Sequence, residues 1–327
     1  MKSVASMGPM PWHMHPVVFL DALRHQSCDC ENLYADKFTV TRYFSVYGPV
    51  YKGVIRLKDY PRWDILIAKG ELTSDEKEIL IAMSENEGNM DAIQSYDSEV
   101  VTAGAMQKTV KDIYKRGSKS SDDFRGKGEL STQLAKFKKL HSDLYNRYAV
   151  NCGWTVEGTG PEAIIYYCDP ILTHSVKITA SDLKTLIRKG CSKETSGQII
   201  HNKPLAALLK VIQLPEYLDL QVLDFIDRLH YAEDEVVSAK AKIKDFVKSK
   251  FGRAVVLDHS VNRPTKVGEE FKKAIDNFYT HHPEVNRDPA LWGCDFIKNE
   301  SNLLEEYKST RKMTDPVVRF NSLKAKL

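Results

Sequence analysis

The sequence predicts a mainly helical protein of the α+β class with one small β element. Apolar residues recur at helical spacing through most of the chain beyond Thr73. Two stretches depart from that pattern. Residues 34–60 are rich in Tyr, Val, Phe and Thr, and residues 89–104 read as a polar loop or hairpin. The length of 327 residues suits one large domain or a mid-sized domain with an added module. We therefore predict an N-terminal segment, 1–60, packed on a main body, 61–327.

Local signals predict the elements in order along the chain. A short amphipathic helix is expected over 15–25, and Gly48-Pro49 interrupts the extended residues that follow it. Thr73 and Glu76 have capping-box spacing, which predicts a helix from there to about Asn86. Residues 163–168 fit a strand or a buried helix. The other predictions are a surface loop over 117–129 and helices over 129–149, 181–189, 203–213, 216–232, 234–251, 267–279 and 300–311.

The composition excludes several classes of protein. Hydrophobic residues make up 42% and charged residues 28%, the ordinary balance of a globular protein. A net charge of +3, with lysines spread along the chain, argues against a nucleic-acid partner. The chain has no apolar run of the roughly 18 residues that a membrane span needs, and its start is not a signal peptide. Six cysteines lack zinc-ligand spacing. We expect free thiols, with disulfides as the alternative, and no metal or other cofactor.

Residues 79–107, ILIAMSENEGNMDAIQSYDSEVVTAGAMQ, carry the candidate chemistry. An apolar helix leads to Glu85 and Glu87, and a polar loop with Asp97 and Glu99 follows. Hydrolysis of a glycosidic bond needs a protonated carboxyl group that donates to the leaving oxygen. It also needs an ionised carboxylate that activates water or stabilises positive charge on the sugar. Acids at the exit of a buried helix and on a facing loop therefore indicate glycoside hydrolysis, and the alternative is a solvated acidic surface.

The same residues resemble the lysozyme-like superfamily. Its lytic transglycosylases have a catalytic Glu, an Ala seven residues later and a glycine-containing turn that ends in Met-Gln. The matching residues here are Glu85, Ala92 and Ala105-Met106-Gln107. The resemblance implies a lysozyme-like two-lobed fold, with the small β element next to the active-site cleft.

A second resemblance, to bacterial chitosanases, assigns roles to individual residues. It rests on the pair Glu85-Asn86 and on an Asp five residues before a Thr-Ala-Gly turn. The resemblance implies that Glu85 is the general acid, that Asp97 is the general base and that Thr102 positions the attacking water. The linker between the two acids is shorter than in chitosanases. Glu87 therefore stays the alternative acid and Glu99 the alternative base.

Polar side chains around these acids are candidates for substrate contact. Tyr96 lies inside the acidic loop, Asn86 stands between Glu85 and Glu87, and Gln107 ends the segment. A second group follows the apolar residues of 254–264, where polar side chains gather at a predicted helix end, although a structural cap fits that pattern equally. The expected substrate-binding residues are Asn86, Tyr96, Gln107, His259 and Asn262.

The segments HPVVFLDAL and GPVYKGVIRL, leading into SENEGNMDAIQSYD, resemble cell-wall-degrading modules of type VI secretion effectors. Such proteins are made in the cytoplasm and reach the periplasm of target bacteria without a signal peptide. The resemblance implies an antibacterial muramidase that acts on peptidoglycan glycan strands, with an immunity protein and secretion-apparatus components as further partners. Two alternatives stay open, a chitosanase of the same fold and a glycan-binding module without catalysis.

Overall fold

The computed structural model describes residues 37–97, 99–110, 129–168, 177–238 and 241–327. Within these ranges the chain is mainly helical with two small antiparallel sheets, which confirms the α+β class. The helices are α1 (Trp63–Ala68), α2 (Ser74–Met83), α3 (Glu129–Leu140), α4 (Ser142–Tyr148), α5 (Ala180–Ile187), α6 (Lys203–Ile212), α7 (Pro215–Glu233), α8 (Ile243–Phe246), α9 (Lys250–Asn262), α10 (Val267–His281), α11 (Phe296–Thr310) and α12 (Pro316–Lys324). The predicted helix over 15–25 and nearly all of the predicted loop over 117–129 lie outside the described residues.

The larger sheet has the strand order β5-β4-β3-β2-β1-β8, and each pairing is antiparallel. Its strands are β1 (Phe38–Tyr43), β2 (Val46–Tyr51), β3 (Ile93–Gln94), β4 (Val101–Ala103), β5 (Lys108–Val110) and β8 (Ile199–Ile200). The hairpin of β6 (Trp154–Glu157) and β7 (Ile164–Tyr167) forms the smaller sheet. The β1–β2 hairpin, residues 38–51, lies between two strands of the main body, because β2 pairs with β3 and β1 pairs with β8.

Two hydrophobic cores share helix α7. One core joins α1, α2 and the helices from α8 onward, and Leu218, Val222 and Phe225 of α7 belong to it. The other joins the sheets with α3 to α6, and Tyr217 and Leu220 of α7 belong to that one. The two sets follow helical spacing on different faces of α7. Burial on both sides ties the sheet-bearing part of the molecule to the helical part.

Helical periodicity predicts most of the helices after Thr73. The helix expected over 129–149 is two helices, because His141 has a non-helical backbone (φ −137°, ψ 56°). Residues 163–168 contain strand β7 rather than a buried helix. Helix α1, with Trp63 and Leu66 buried, carries too short a periodic run to be recognised in the sequence.

The prediction of one helix over 234–251 is wrong. A short helix α8 and an extended link occupy most of that range, and α9 begins only at Lys250. The side chain of Ser249 accepts a hydrogen bond from the Gly252 N–H at 3.0 Å, which caps the new helix. Glu300 of α11 accepts from the N–H of Ser249 at 3.0 Å as well. The helix start is therefore set partly by a distant carboxylate that local spacing does not reveal.

None of the described helices is long and apolar enough to cross a membrane. Cysteine chemistry is mixed. Cys152 is disulfide-bonded, whereas Cys168, Cys191 and Cys294 are free thiols. The expectation of free thiols is therefore wrong at Cys152.

Candidate functional site

Helix α2 forms as the capping box predicts and leads directly into the acidic segment. Thr73 accepts from the Glu76 N–H, and the Glu76 carboxylate accepts from the Thr73 N–H at 2.8 Å. The apolar side chains of α2 are buried in the helical core. A single tight turn, Ser84–Asn86, follows the helix and contains Glu85. The side chain of Glu85 is outside the part of the chain that the structure describes.

Glu87 is the acid that the structure describes at this helix exit. Its side chain is 6% exposed and lies 2.7 Å from a guanidinium nitrogen of Arg319 on α12. Burial raises the pKa of Glu87 to about 7, and Asp258 contributes in the same direction, although Arg319 opposes the shift. A carboxyl group with this pKa is protonated in a large fraction of molecules at neutral pH. Glu87 therefore meets the chemical requirement of a general acid.

The raised pKa of Glu87 predicts a pH dependence of stability. Its pKa moves from 4.5 to about 7 on folding, so the folded state binds the proton more tightly. The associated stability is complete below about pH 4.5 and is lost as pH rises through about 7. Glu87→Gln has no carboxyl group to titrate and therefore keeps its stability as pH rises. Its free energy of unfolding relative to wild type should increase by on the order of 3 kcal/mol between pH 4.5 and about 7. Urea unfolding at pH 4 and pH 8 measures the difference, and an equal offset at both pH values contradicts the shift.

Asp258 on α9 anchors a buried ion network behind Glu87. It accepts from Arg319 at 2.6 Å and from Arg311 at 3.1 Å, and the side chains of Asp258 and Arg311 are 0% exposed. The Asn86 side-chain amide also donates to Asp258, at 3.3 Å, and the Asn86 carbonyl accepts from Arg319 at 3.1 Å. Asn86, which we expected to contact substrate, therefore holds the exit of α2 against α9 and α12.

Asp97 and Thr102 are in contact on the sheet side. The Thr102 hydroxyl donates to the Asp97 carboxylate at 3.4 Å, and that carboxylate also accepts from the Glu99 N–H at 2.9 Å. Arg188, at the end of α5, donates to the carbonyls of Asp97 and Glu99 at 2.8 and 2.9 Å. These bonds fix the acidic loop, so Asp97 is held in one orientation beside strand β4.

The Thr102-Ala103-Gly104 turn is clamped to the helix exit by Gln221 of α7. The Gln221 side chain accepts from the Ala105 N–H at 3.2 Å and donates to the Met90 carbonyl at 2.9 Å. Gly104 has a φ of +77°, and a Cβ there would lie 2.5 Å from the Gln221 oxygen. Glycine is therefore required at this position, both for its backbone conformation and for the close approach of Gln221.

A cavity of about 220 Å³ lies between the strands and the helix exit. Tyr96, Thr102 and Gln107, three of the residues predicted for the site, line it together. Gly88, the residue after Glu87, lines it as well. Asp97 lies behind this lining, hydrogen-bonded to Thr102. The structure thus brings the sheet-side candidates to one hollow, bordered by the backbone that follows the buried acid.

A neighbouring groove of about 320 Å³ begins at the next residue, Lys108. Both cationic and anionic side chains line it, among them Lys136, Asp224 and Arg228. Arg228 also acts electrostatically on Glu87, where its charge favours ionisation. Consecutive residues, Gln107 and Lys108, therefore border the cavity and the groove.

His259 does not lie where we expected it. Its side chain is 0% exposed, and its Nδ1 lies 2.5 Å from the hydroxyl of Tyr307 inside the helical part. Burial lowers the pKa of His259 to about 4, so the ring is neutral at physiological pH. A side chain that is fully buried among other residues cannot contact a substrate. Asn262 ends the same helix, half-buried, and is not among the described residues that line the cavity.

The sequence patterns do not reveal two of the residues that hold these acids, Arg188 and Arg319. Arg319 is 232 positions from Glu87, and Arg188 is 91 positions from Asp97. No periodicity or spacing rule joins residues that far apart. Asp258 stood in a stretch of polar residues with a structural alternative, and the structure shows it buried and paired.

Comparisons of the chain with protein-family models, with curated proteins and with solved structures found no match.

Proposed function

We propose that this protein is a glycoside hydrolase of the lysozyme-like type that cleaves the β-1,4 backbone of peptidoglycan. The observation that carries the proposal is the buried carboxyl group of Glu87, whose pKa of about 7 leaves it substantially protonated at neutral pH. It immediately precedes Gly88 in the wall of a cavity whose strand side carries Thr102, hydrogen-bonded to Asp97. A buried carboxyl group with a raised pKa and a second carboxyl group, each next to or bonded to a residue that lines one cavity, suit glycosidic hydrolysis.

In this mechanism Glu87 donates its proton to the leaving glycosidic oxygen. Asp97 is held in place by hydrogen bonds from the Thr102 hydroxyl and the Glu99 N–H, and it activates the attacking water. Thr102 lines the cavity and orients that water through its hydroxyl. Glu85, the first choice from the sequence, remains the alternative acid, since it occupies the same turn.

Peptidoglycan is preferred over chitosan as the substrate on grounds of charge. Chitosan is a polycation, and a protein with a net charge of +3 has little overall attraction for it. We further propose that the protein is an antibacterial effector delivered to the periplasm of target bacteria. The disulfide at Cys152 fits that destination, because such bonds persist in oxidising compartments.

Digestion of purified peptidoglycan followed by mass spectrometry tests the function. Hydrolysis yields fragments with reducing muramic-acid ends, which is the expected result, whereas transglycosylation yields anhydro ends. A parallel digestion of chitosan is the matched control. Release of products from chitosan alone changes the substrate to that polymer. Binding to cell walls without any released product favours a glycan-binding module and overturns the hydrolase.

Asp97→Asn should reduce the rate by about 10²-fold, because it removes the proposed base and keeps the shape of the side chain. Glu99→Gln is the matched control, two residues along the same loop, and should retain most of the activity. Turnover of dye-labelled cell walls measures both variants. A silent Asp97→Asn together with an inactive Glu99→Gln would move the base to Glu99.

A further inference from the structure

The hairpin that joins β1 and β2 carries a run of aromatic rings that the proposed chemistry does not use. Tyr43 is 50% exposed and Phe44 78% exposed, and the two rings pack edge to face, with centroids 4.6 Å apart and 79° between their planes. The ring of Tyr43 also lies 5.6 Å from that of Tyr96, with an angle of 32° between the ring planes. Tyr96 lines the cavity. Three rings therefore lead from the cavity to the tip of the hairpin.

Phe44 is the first residue of the two-residue loop between Tyr43 and Val46, a position at which hairpin turns require a positive φ. Its φ of +52° lies in the left-handed region, which favours glycine or asparagine and is unfavourable for a bulky side chain. A ring that is 78% exposed gains little from burial to offset that cost. The turn explains the backbone conformation but not the choice of an exposed phenylalanine, since glycine or asparagine is the usual residue there.

We propose that Tyr43, Phe44 and Tyr96 form an aromatic platform that extends the cavity and holds a further sugar residue of the glycan strand. This inference rests on the proposed function. Aromatic faces pack against the apolar C–H face of a pyranose ring, while polar groups at the edge bind its hydroxyls. Thr41, on the same strand as Tyr43, lines the cavity and supplies such a group. A glycan is favoured over a protein partner because the rings continue out of the cavity in a row.

Phe44→Gly tests the effect of the Phe44 ring on binding without destabilising the fold. Glycine adopts a positive φ without strain, so the variant should melt at the same or a higher temperature than wild type. Binding to insoluble peptidoglycan sacculi, measured by co-sedimentation, should weaken about 3- to 10-fold, as the loss of one aromatic contact predicts. Tyr43→Ala combined with Phe44→Gly should weaken it further. On a short soluble glycan fragment that does not reach the hairpin, kcat should stay at the wild-type value.

Ile297→Ala is the matched control, since Ile297 is an apolar side chain, 67% exposed, on helix α11. It should leave sacculus binding unchanged. If wild type binds and cleaves sacculi and the hairpin variants do so equally well, the platform is overturned while the hydrolase stands. If wild type neither binds nor cleaves sacculi, the proposed function itself fails. Weaker binding of the hairpin variants, with cleavage of the short fragment intact, supports the platform.

Discussion

Glu87→Gln is expected to lower the rate of glycan cleavage by on the order of 10³-fold while the protein stays folded. Glutamine keeps the size and shape of the side chain but carries no transferable proton. The burial that raises the pKa of Glu87 to about 7 makes this carboxyl group a proton donor at neutral pH. Release of soluble fragments from purified cell walls measures the loss, and far-ultraviolet circular dichroism verifies the fold.

Glu85→Gln is the matched control for that experiment. Both glutamates occupy the short segment that follows α2, two positions apart, and both substitutions remove one carboxylate. We expect Glu85→Gln to keep most of the activity. An inactive Glu85→Gln with an active Glu87→Gln would return the acid to the position that the sequence first suggested. Full activity in both variants would remove the enzyme hypothesis.

The wild-type pH profile supplies an independent check on Glu87. A general acid works only in its protonated form, so the rate should fall as pH rises through about 7, the pKa of this carboxyl group. An alkaline limb near pH 4.5, the ordinary value for a glutamic acid, would mean that another group donates the proton.

The sequence predicts which candidates lie together on the sheet side because these residues are close in the chain. Tyr96, Thr102 and Gln107 lie within one short segment, and they line one cavity. The contact between Asp97 and Thr102 spans only five positions. Local turn geometry and strand pairing bring such residues together, so spacing alone carries much of the information.

The helical side shows where sequence patterns stop being informative. The periodicity of α2 predicts its length and its buried face, and the capping box predicts its start. The residues that hydrogen-bond to the segment after α2 belong to α9 and α12, and only tertiary packing brings them there. His259 illustrates the same limit. A polar residue near a helix end suggested a cleft, yet the fold buries it against Tyr307.

Asp258→Ala is expected to lower the free energy of unfolding by about 3–5 kcal/mol, the largest stability effect in the molecule that we predict. Asp258 is the shared partner of Arg311 and Arg319, and Arg311 is 0% exposed. Without the carboxylate, the Arg311 guanidinium stays buried and loses the ion pair that it forms with Asp258 in the wild type. Removing one member of a buried ion pair costs far more than removing an exposed pair, because the remaining charge cannot be hydrated.

Asp234→Ala is the control for that loss, because its carboxylate pairs with Lys242 and Lys244 while 51% exposed. Water replaces such partners readily, so the change should stay within about 1 kcal/mol. Urea denaturation of both variants measures the contrast, and similar losses would mean that the Asp258 network contributes no more than a surface pair.

The Asp258 network also links stability to chemistry at Glu87. Arg319 divides its donors between Asp258 and Glu87, and the charge of Asp258 helps to raise the pKa of Glu87. Asp258→Asn keeps the side-chain shape and removes the charge, so Arg319 should pair more strongly with Glu87 and lower its pKa. The alkaline limb of the rate profile should then move to lower pH, while the maximal rate at acidic pH is preserved. A variant that loses stability without moving the alkaline limb would show that the network supports the fold but does not affect the pKa of Glu87.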